Sequence, residues 1–291
     1  MILQFRIGPA KIKCETEDLP KDWSNSFRSP LYRSFEVDDE NAPDLSIQLH
    51  RTSSPSMAAA APIAELPSSW RLFPFKNGYR LEILEQVRSQ SKAVVLMNQV
   101  MSRADVYGIY STSPAHPPHW FLASLMVPFV QWWLTNWLAG QKKGVILHAA
   151  ALLMEDQTFV FLGPSGAGKT TLARWCRDEG GAHVLSDERI ILWHNGRSWQ
   201  VTGTPWHGEL RVASERTAPV THLATLVKGD TNQWTPVSPT QFLPLLISEA
   251  FLPIWNKEKM EGEKTEQKQK LIRDGGITKK KTGMITQAEY S

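Results

Sequence analysis

Apolar and polar residues alternate at Leu3-Gln4-Phe5-Arg6-Ile7 and again at Leu45-Ser46-Ile47-Gln48-Leu49. A period of two puts one set of side chains on each face of a β-strand, so both pieces predict strands that cover one face of a sheet. Tyr79 to Leu84 and Ala93 to Met97 are further strand candidates. Between Leu49 and Tyr79 lies a Ser/Ala/Pro-rich stretch, Thr52 to Pro67, which predicts a loop or linker.

From Trp120 to Gly140 there is no charged residue, a run of about 20 residues and long enough to cross a bilayer. Pro128, Gln131, Thr135 and Asn136 interrupt it, a central proline is costly in a helix, and the flanks lack a clear Lys/Arg asymmetry. The run is therefore expected to be a buried helix, with Trp120, Trp132, Trp133 and Trp137 packed in a core or a seam between domains. After Lys142-Lys143-Gly144 the pattern changes to short apolar runs, Val145 to Leu153 and Thr158 to Leu162. A glycine-rich turn, a helix-like segment from Thr170 to Glu179 and two more strand candidates, His183 to Leu185 and Arg189 to Trp193, follow. This succession predicts an α/β nucleotide-binding domain. The expected organisation is a β-rich domain over 1–115, a buried helical connector over 116–143, the nucleotide-binding domain over 144–255 and a polar tail over 256–291 whose composition cannot bury enough apolar surface to order itself.

With 42% hydrophobic and 21% charged residues in 291, the chain falls in the globular range, which excludes collagen-like, wholly disordered and disulfide-scaffold classes. Its net charge of +3 arises in the tail, where nine basic residues face six acidic ones, leaving 23 of each elsewhere. No cluster of Lys/Arg with interleaved aromatics occurs in the body, so a nucleic-acid partner is not expected, and Lys279-Lys280-Lys281 reads as a solvated run. Cys14 and Cys176 form neither a CxxC pair nor a zinc pattern, and Met1 to Gly8 lacks the make-up of a signal peptide. A reducing, cytoplasmic setting is the expectation.

Gly163-Pro164-Ser165-Gly166-Ala167-Gly168-Lys169-Thr170 matches the phosphate-loop pattern G-x-x-x-x-G-K-[ST], after an apolar strand and at the start of a helix. The glycines let backbone N–H groups curl around phosphate oxygens, and the helix start adds partial positive charge. Lys169 is suited to the outer phosphates and the Thr170 hydroxyl to Mg²⁺. A chance glycine turn is the competing reading, and the strand, helix and Lys-Thr pair together favour nucleotide binding. Asp187-Glu188 follows 18 residues beyond Lys169 and is expected at the carboxyl end of the adjacent strand. There one carboxylate could hold Mg²⁺ and the other accept a proton from a hydroxyl nucleophile. An exposed loop pair bridged to Arg189 is the alternative.

Leu147-His148-Ala149-Ala150-Ala151, Phe159 to Leu162, Gly163 to Thr171 and Val184-Leu185-Ser186-Asp187-Glu188-Arg189 resemble the catalytic core of HPr kinase/phosphorylase and its relatives, proteins similar in fold to phosphoenolpyruvate carboxykinase. The resemblance covers Val145 to about Val227 and rests on the order histidine, phosphate loop, closely following acidic pair. Gly203-Thr204-Pro205-Trp206-His207-Gly208-Glu209 and the Phe242 to Phe251 region are more similar to shorter kinase-like proteins of peptide-maturation cassettes, including the SynChlorMet type. The resemblance implies an α/β, P-loop-containing HPr kinase-like domain preceded by a smaller β-rich domain, and an ATP-dependent, Mg²⁺-assisted kinase acting on a serine-type hydroxyl of a peptide or small protein. It implies that Gly163, Pro164, Ser165, Gly166, Ala167, Gly168, Lys169, Thr170 and Thr171 hold the nucleotide, and that Thr170 and Glu188 hold Mg²⁺. Asp187 would be general base, or acid in reverse, and His148 would approach the phosphoryl group beside Lys169. It also implies a homo-oligomer, with Glu209-Leu210-Arg211 standing in part for the family's Glu-Ile-Arg-Gly signature. The family's closing apolar strand is expected to be missing or replaced, because Glu261 to Ser291 is polar and irregular.

A second reading is a nucleotide-binding adaptor or regulatory module that binds a precursor peptide without transfer. A third, a simple ATPase or transporter component, is disfavoured because no ABC-type signature lies between the phosphate loop and Asp187.

Overall fold

A computed structural model of the chain describes residues 2–16, 30–50, 54–56, 60–67, 69–84, 91–107, 126–229, 233–253 and 285–290. The chain divides into two compact units, one within Met1–Trp137 and the other within Leu138–Leu252 together with the strand Ile285–Tyr290.

The first unit is built on one eight-stranded sheet. Its strands are β1 (Ile2–Ile7), β2 (Ala10–Glu15), β3 (Leu45–His50), β4 (Ala64–Leu66), β5 (Trp70–Phe75), β6 (Gly78–Leu84), β7 (Ser91–Asn98) and β8 (Arg103–Tyr107), in the order β1-β2-β3-β8-β7-β6-β5-β4. Only β3 runs parallel to its neighbours, β2 and β8. The alternation in the sequence becomes alternation of burial: Ala10, Ile12 and Cys14 of β2 and Leu45, Ile47 and Leu49 of β3 are buried while the residues between them are half-exposed. Burial also pushes the Cys14 thiol up to about 12, so it stays protonated and unreactive. Within the stretch from Thr52 to Pro67 expected to be a loop, Ala64–Leu66 forms an edge strand on β5, and residues 52–53 and 57–59 lie outside the described residues.

The charge-free run contains a π-helical turn, Met126–Val130, followed by helix α1 (Gln131–Gly140). Trp132, Trp133 and Leu134 are buried, the Trp133 indole N–H donates to the Met101 carbonyl at 2.6 Å, and Trp133 stacks on Trp137. Residues 108–125, including Trp120, lie outside the described residues. Among the described residues no helix is long and apolar enough to cross a membrane. The boundary between the two units falls inside α1, at Trp137 and Leu138, and not at residue 143.

In the second unit, β9 (Gly144–Met154) and β10 (Gln157–Leu162) form a hairpin, followed by helix α2 (Lys169–Asp178), β11 (His183–Ser186), β12 (Arg189–His194), β13 (Trp199–Gly203), β14 (Thr217–Pro219), β15 (His222–Lys228), β16 (Gln233–Pro236), helix α3 (Pro239–Ser248), β17 (Ala250–Phe251) and β18 (Ile285–Tyr290). The main order is β14-β13-β12-β9-β10-β15-β18-β16, with β11 and β17 also pairing to β9. The sheet is mixed: β10/β15 and β15/β18 are parallel and the other described pairs antiparallel. The expected polar tail thus differs over Ile285–Tyr290, which pairs between β15 and β16 and supplies a closing strand, while residues 254–284 lie outside the described residues.

Both faces of this sheet are covered, which is why β9 reads as a nearly unbroken apolar run. Leu147, Ala149 and Ala151 pack with Val160, Leu162 and Leu185 under Phe242, Leu243 and Leu246 of α3. On the opposite face Ala150 and Leu152 pack with Phe161 and Val184 under Ala173 and Cys176 of α2. The small alanines let both helices lie close to the strand. Ser238 caps α3 with a reciprocal box, its hydroxyl accepting from the Gln241 N–H while the Gln241 side chain accepts from the Ser238 N–H.

The fold pushes two histidines in this unit below their ordinary values. Burial pushes His222 down from its ordinary value, and burial with the nearby Arg216 charge does the same to His183. A depressed folded value means that stability is fully present above the unfolded value of about 6.5 and is lost as pH falls through it. Thermal melts should show the second unit losing stability as pH falls below about 6.5. His222→Phe keeps the ring stack on Phe159, whose centroid lies 4.5 Å away, and should flatten that dependence; an equally steep loss in the variant would remove His222 as a cause.

Candidate functional site

β10 delivers Val160, Phe161 and Leu162 into the core and then breaks at Gly163. Gly166 and Gly168 take φ of 79° and 94°, left-handed values that favour glycine, so the chain turns tightly before entering α2. Pro164, Ser165 and Gly166 are exposed while Ala167 is tucked under the turn. Gly168 is the N-cap of α2 and gives no side-chain cap bond, so the first-turn N–H groups face outward at the positive end of the helix. Free N–H groups at a helix start are suited to an anion. Lys169 is buried, and its ammonium donates to the carbonyls of Gly163 at 2.6 Å and Pro164 at 3.2 Å. Thr170 is half-buried at the second helical position and Thr171 is exposed.

β9 is antiparallel to both β10 and β11, so these two strands point the same way. The phosphate loop and Asp187 therefore leave the sheet at one end, but β9 separates their strands, which the sequence reading had placed side by side. The Ser186 hydroxyl accepts from the N–H groups of Glu188 and Arg189, folding the turn between β11 and β12 that carries the acidic pair.

The two carboxylates then part company. Asp187 is 1% exposed, with one oxygen accepting from Gly208 N–H at 3.1 Å and the other from Leu210 N–H at 3.2 Å. A Cβ at Gly208 would fall 2.6 Å from Asp187 Oδ2, so only glycine allows this approach. Asp187, expected as a proton acceptor, is in this structure the anchor of the loop after β13. Glu188 instead is half-exposed, with Oε2 at 3.6 Å from His148 Nε2 and Oε1 at 3.9 Å from the Arg189 guanidinium.

His148 stands in the middle of β9, on the same face as Ala150 and Leu152 and hence on the α2 side. Its Nδ1 lies 3.2 Å from Oε2 of Glu249, a residue that the sequence reading did not single out. Glu249 ends α3, and its carbonyl accepts the His148 backbone N–H at 2.8 Å. The capping box at Ser238 marks where α3 begins, yet only the pairing of β17 with β9 brings the end of that helix to His148. Burial pushes the Lys169 ammonium below its ordinary value, and the charges of Glu249 and Glu188 oppose that shift. Lys169, His148, Glu188 and Glu249 thus share one electrostatic neighbourhood. Arg189, whose guanidinium lies 5.4 Å from the Phe251 ring centroid, is the arginine that accompanies the acidic pair. Arg211 is exposed, and Glu209 reaches Arg174 on the surface at 3.9 Å.

Among the described residues no group of three or more His, Cys, Asp and Glu could hold a metal by itself. Mg²⁺ needs no such group: it takes hard oxygen donors, one or two from protein and the rest from phosphate and water. The hydroxyl of Thr170 and the carboxylate of Glu188 are donors of this kind.

No protein-family model matches the chain and no curated protein matches it.

Asp187→Ala would leave the N–H groups of Gly208 and Leu210 without their acceptor, which costs about 1–3 kcal/mol per buried group. Urea denaturation should show a clear fall in midpoint, and an unchanged midpoint would rule out the anchoring role.

Proposed function

We propose that this chain is a phosphotransferase of the HPr kinase-like kind, binding Mg²⁺ and a nucleoside triphosphate, ATP, at Gly163 to Thr171 and passing the terminal phosphoryl group to a serine-type hydroxyl of a peptide or small protein. The observation that carries this reading is the glycine loop running from the end of β10 into the uncapped start of α2, with Lys169 buried in the field of Glu249 and Glu188, the two carboxylates that meet His148. Backbone N–H groups and Lys169 would hold the phosphates, and Thr170 with Glu188 would hold the cation, which supplies charge neutralisation when bound. Such transfers need little covalent chemistry from the protein, so positioning and charge dominate.

In the transfer, the acceptor oxygen forms a bond to the terminal phosphorus, the bond from that phosphorus to the bridging oxygen breaks, and the nucleoside diphosphate leaves with the electron pair. The hydroxyl proton goes to a protein side chain. Asp187 is the residue the family resemblance suggests, but its two bonds to the loop favour His148 for this part unless the Gly208 to Leu210 segment moves. The two buried thiols fit a reducing, cytoplasmic setting.

The double engagement of Asp187 also favours a second reading, a nucleotide-binding module without transfer. One experiment separates the two. Calorimetry with Mg-ATP should show Lys169→Ala binding about 10- to 100-fold more weakly, the loss of charge-assisted bonds, and intact mass of candidate peptides incubated with the wild type should show a gain of one phosphate. Binding without any phosphorylated peptide would favour the module, and no binding by the wild type would refute both.

A further inference from the structure

Glu249 makes two separate contacts with one residue. Its carbonyl accepts the His148 backbone N–H at 2.8 Å and its side-chain Oε2 lies 3.2 Å from His148 Nδ1. The carboxylate is mostly buried, at 13% exposure. A buried carboxylate is retained at a cost unless a partner compensates it, and His148 is the partner at hand. The imidazole is consequently held from one side, at Nδ1, and its other nitrogen, Nε2, is turned to Glu188.

Strand pairing fixes where this happens. β10 pairs with β9 down to Leu162 and Ala149, and β17 takes over the same edge of β9 at Leu147. His148 fills the gap between them, beside the start of the phosphate loop. On the other edge β11 ends its pairing at Ala151 and β12 begins at His148. Neighbouring strands therefore change on both sides of this one residue, the kind of crevice at strand ends in which α/β sheets bind ligands.

We propose that Glu249 is a positioning residue for the phosphoryl transfer, acting through His148 by fixing its imidazole on the phosphate-loop side with Nε2 presented to the reacting groups. This rests on the nucleotide reading of the loop. The charged groups around the pair are Glu188 and Arg189 from the β11–β12 turn and Lys169 from α2. Glu249 thus acts in the transfer through His148, and its charge also supports that of Lys169.

The test uses the full chain with Mg-ATP as the probe and water as acceptor, comparing wild type, Glu249→Ala, the shape-conserving Glu249→Gln, His148→Ala and the Glu249→Ala/His148→Ala double variant. Calorimetry sets the Mg-ATP concentration that saturates each variant, and at saturation the maximal rate of ADP release should fall about tenfold or more in both Glu249 variants. The double variant should be no slower than His148→Ala alone, since a residue acting through another has nothing left to orient. The imidazole nitrogen NMR signals of His148 should shift in Glu249→Ala. Unshifted signals, additive losses in the double variant, or ATP bound by the wild type with no ADP release would each overturn the assignment. Absence of ATP binding by the wild type would instead sink the nucleotide reading, with the NMR comparison still deciding whether Glu249 orients His148.

Discussion

The antiparallel pairing of β9 with its neighbours is the constraint on which the second unit depends. One strand receives β10 and β17 along one edge and β11 and β12 along the other, while α2 and α3 cover its two faces. Such a strand can expose almost nothing, and Ile146, Leu147 and Ala149 to Leu152 are fully buried. His148, half-exposed in the middle of that run, is the exception. A polar side chain there sits where four strand ends meet, and every group of the candidate site is brought in by an element that pairs with or packs on this strand.

The acidic pair illustrates how adjacent residues of like chemistry are separated by a turn. The Ser186 hydroxyl closes the β11–β12 connection, which sends Asp187 inward to two amides of the Gly203 to Arg211 segment and leaves Glu188 outward toward His148. A buried carboxylate with two N–H partners is a structural fastening that also couples the loop to the site. Movement of that loop would release the oxygens of Asp187, so the loop's position and the availability of this carboxylate are linked.

Lys169 carries the same lesson in its charge. Its ammonium is buried against the carbonyls of its own loop, a placement that burial alone disfavours and that Glu188 and Glu249 make tolerable. A phosphate group offers a stronger acceptor than a carbonyl, so the same lysine that closes the loop on itself is suited to exchange those bonds for a ligand's.

The sequence by itself determined the local features. Alternation at Leu3 to Ile7 and Leu45 to Leu49 specifies half-buried strands because side chains of a strand alternate in direction, and the spacing of glycines before Lys169 specifies a tight turn into a helix because only glycine takes those backbone angles freely. Histidine, phosphate loop and acidic pair were legible for the same reason, as residue types at short separations. Only the tertiary structure decided which of them meet. Glu249 lies 101 positions from His148 and reaches it through the β17–β9 pairing, Ile285–Tyr290 enters the sheet by backbone bonds that its polar composition does not announce, and Asp187 is enclosed by amides contributed more than 20 residues later. Backbone pairing between distant segments is indifferent to side-chain identity, so composition and periodicity leave it open until the core of the whole unit chooses one arrangement.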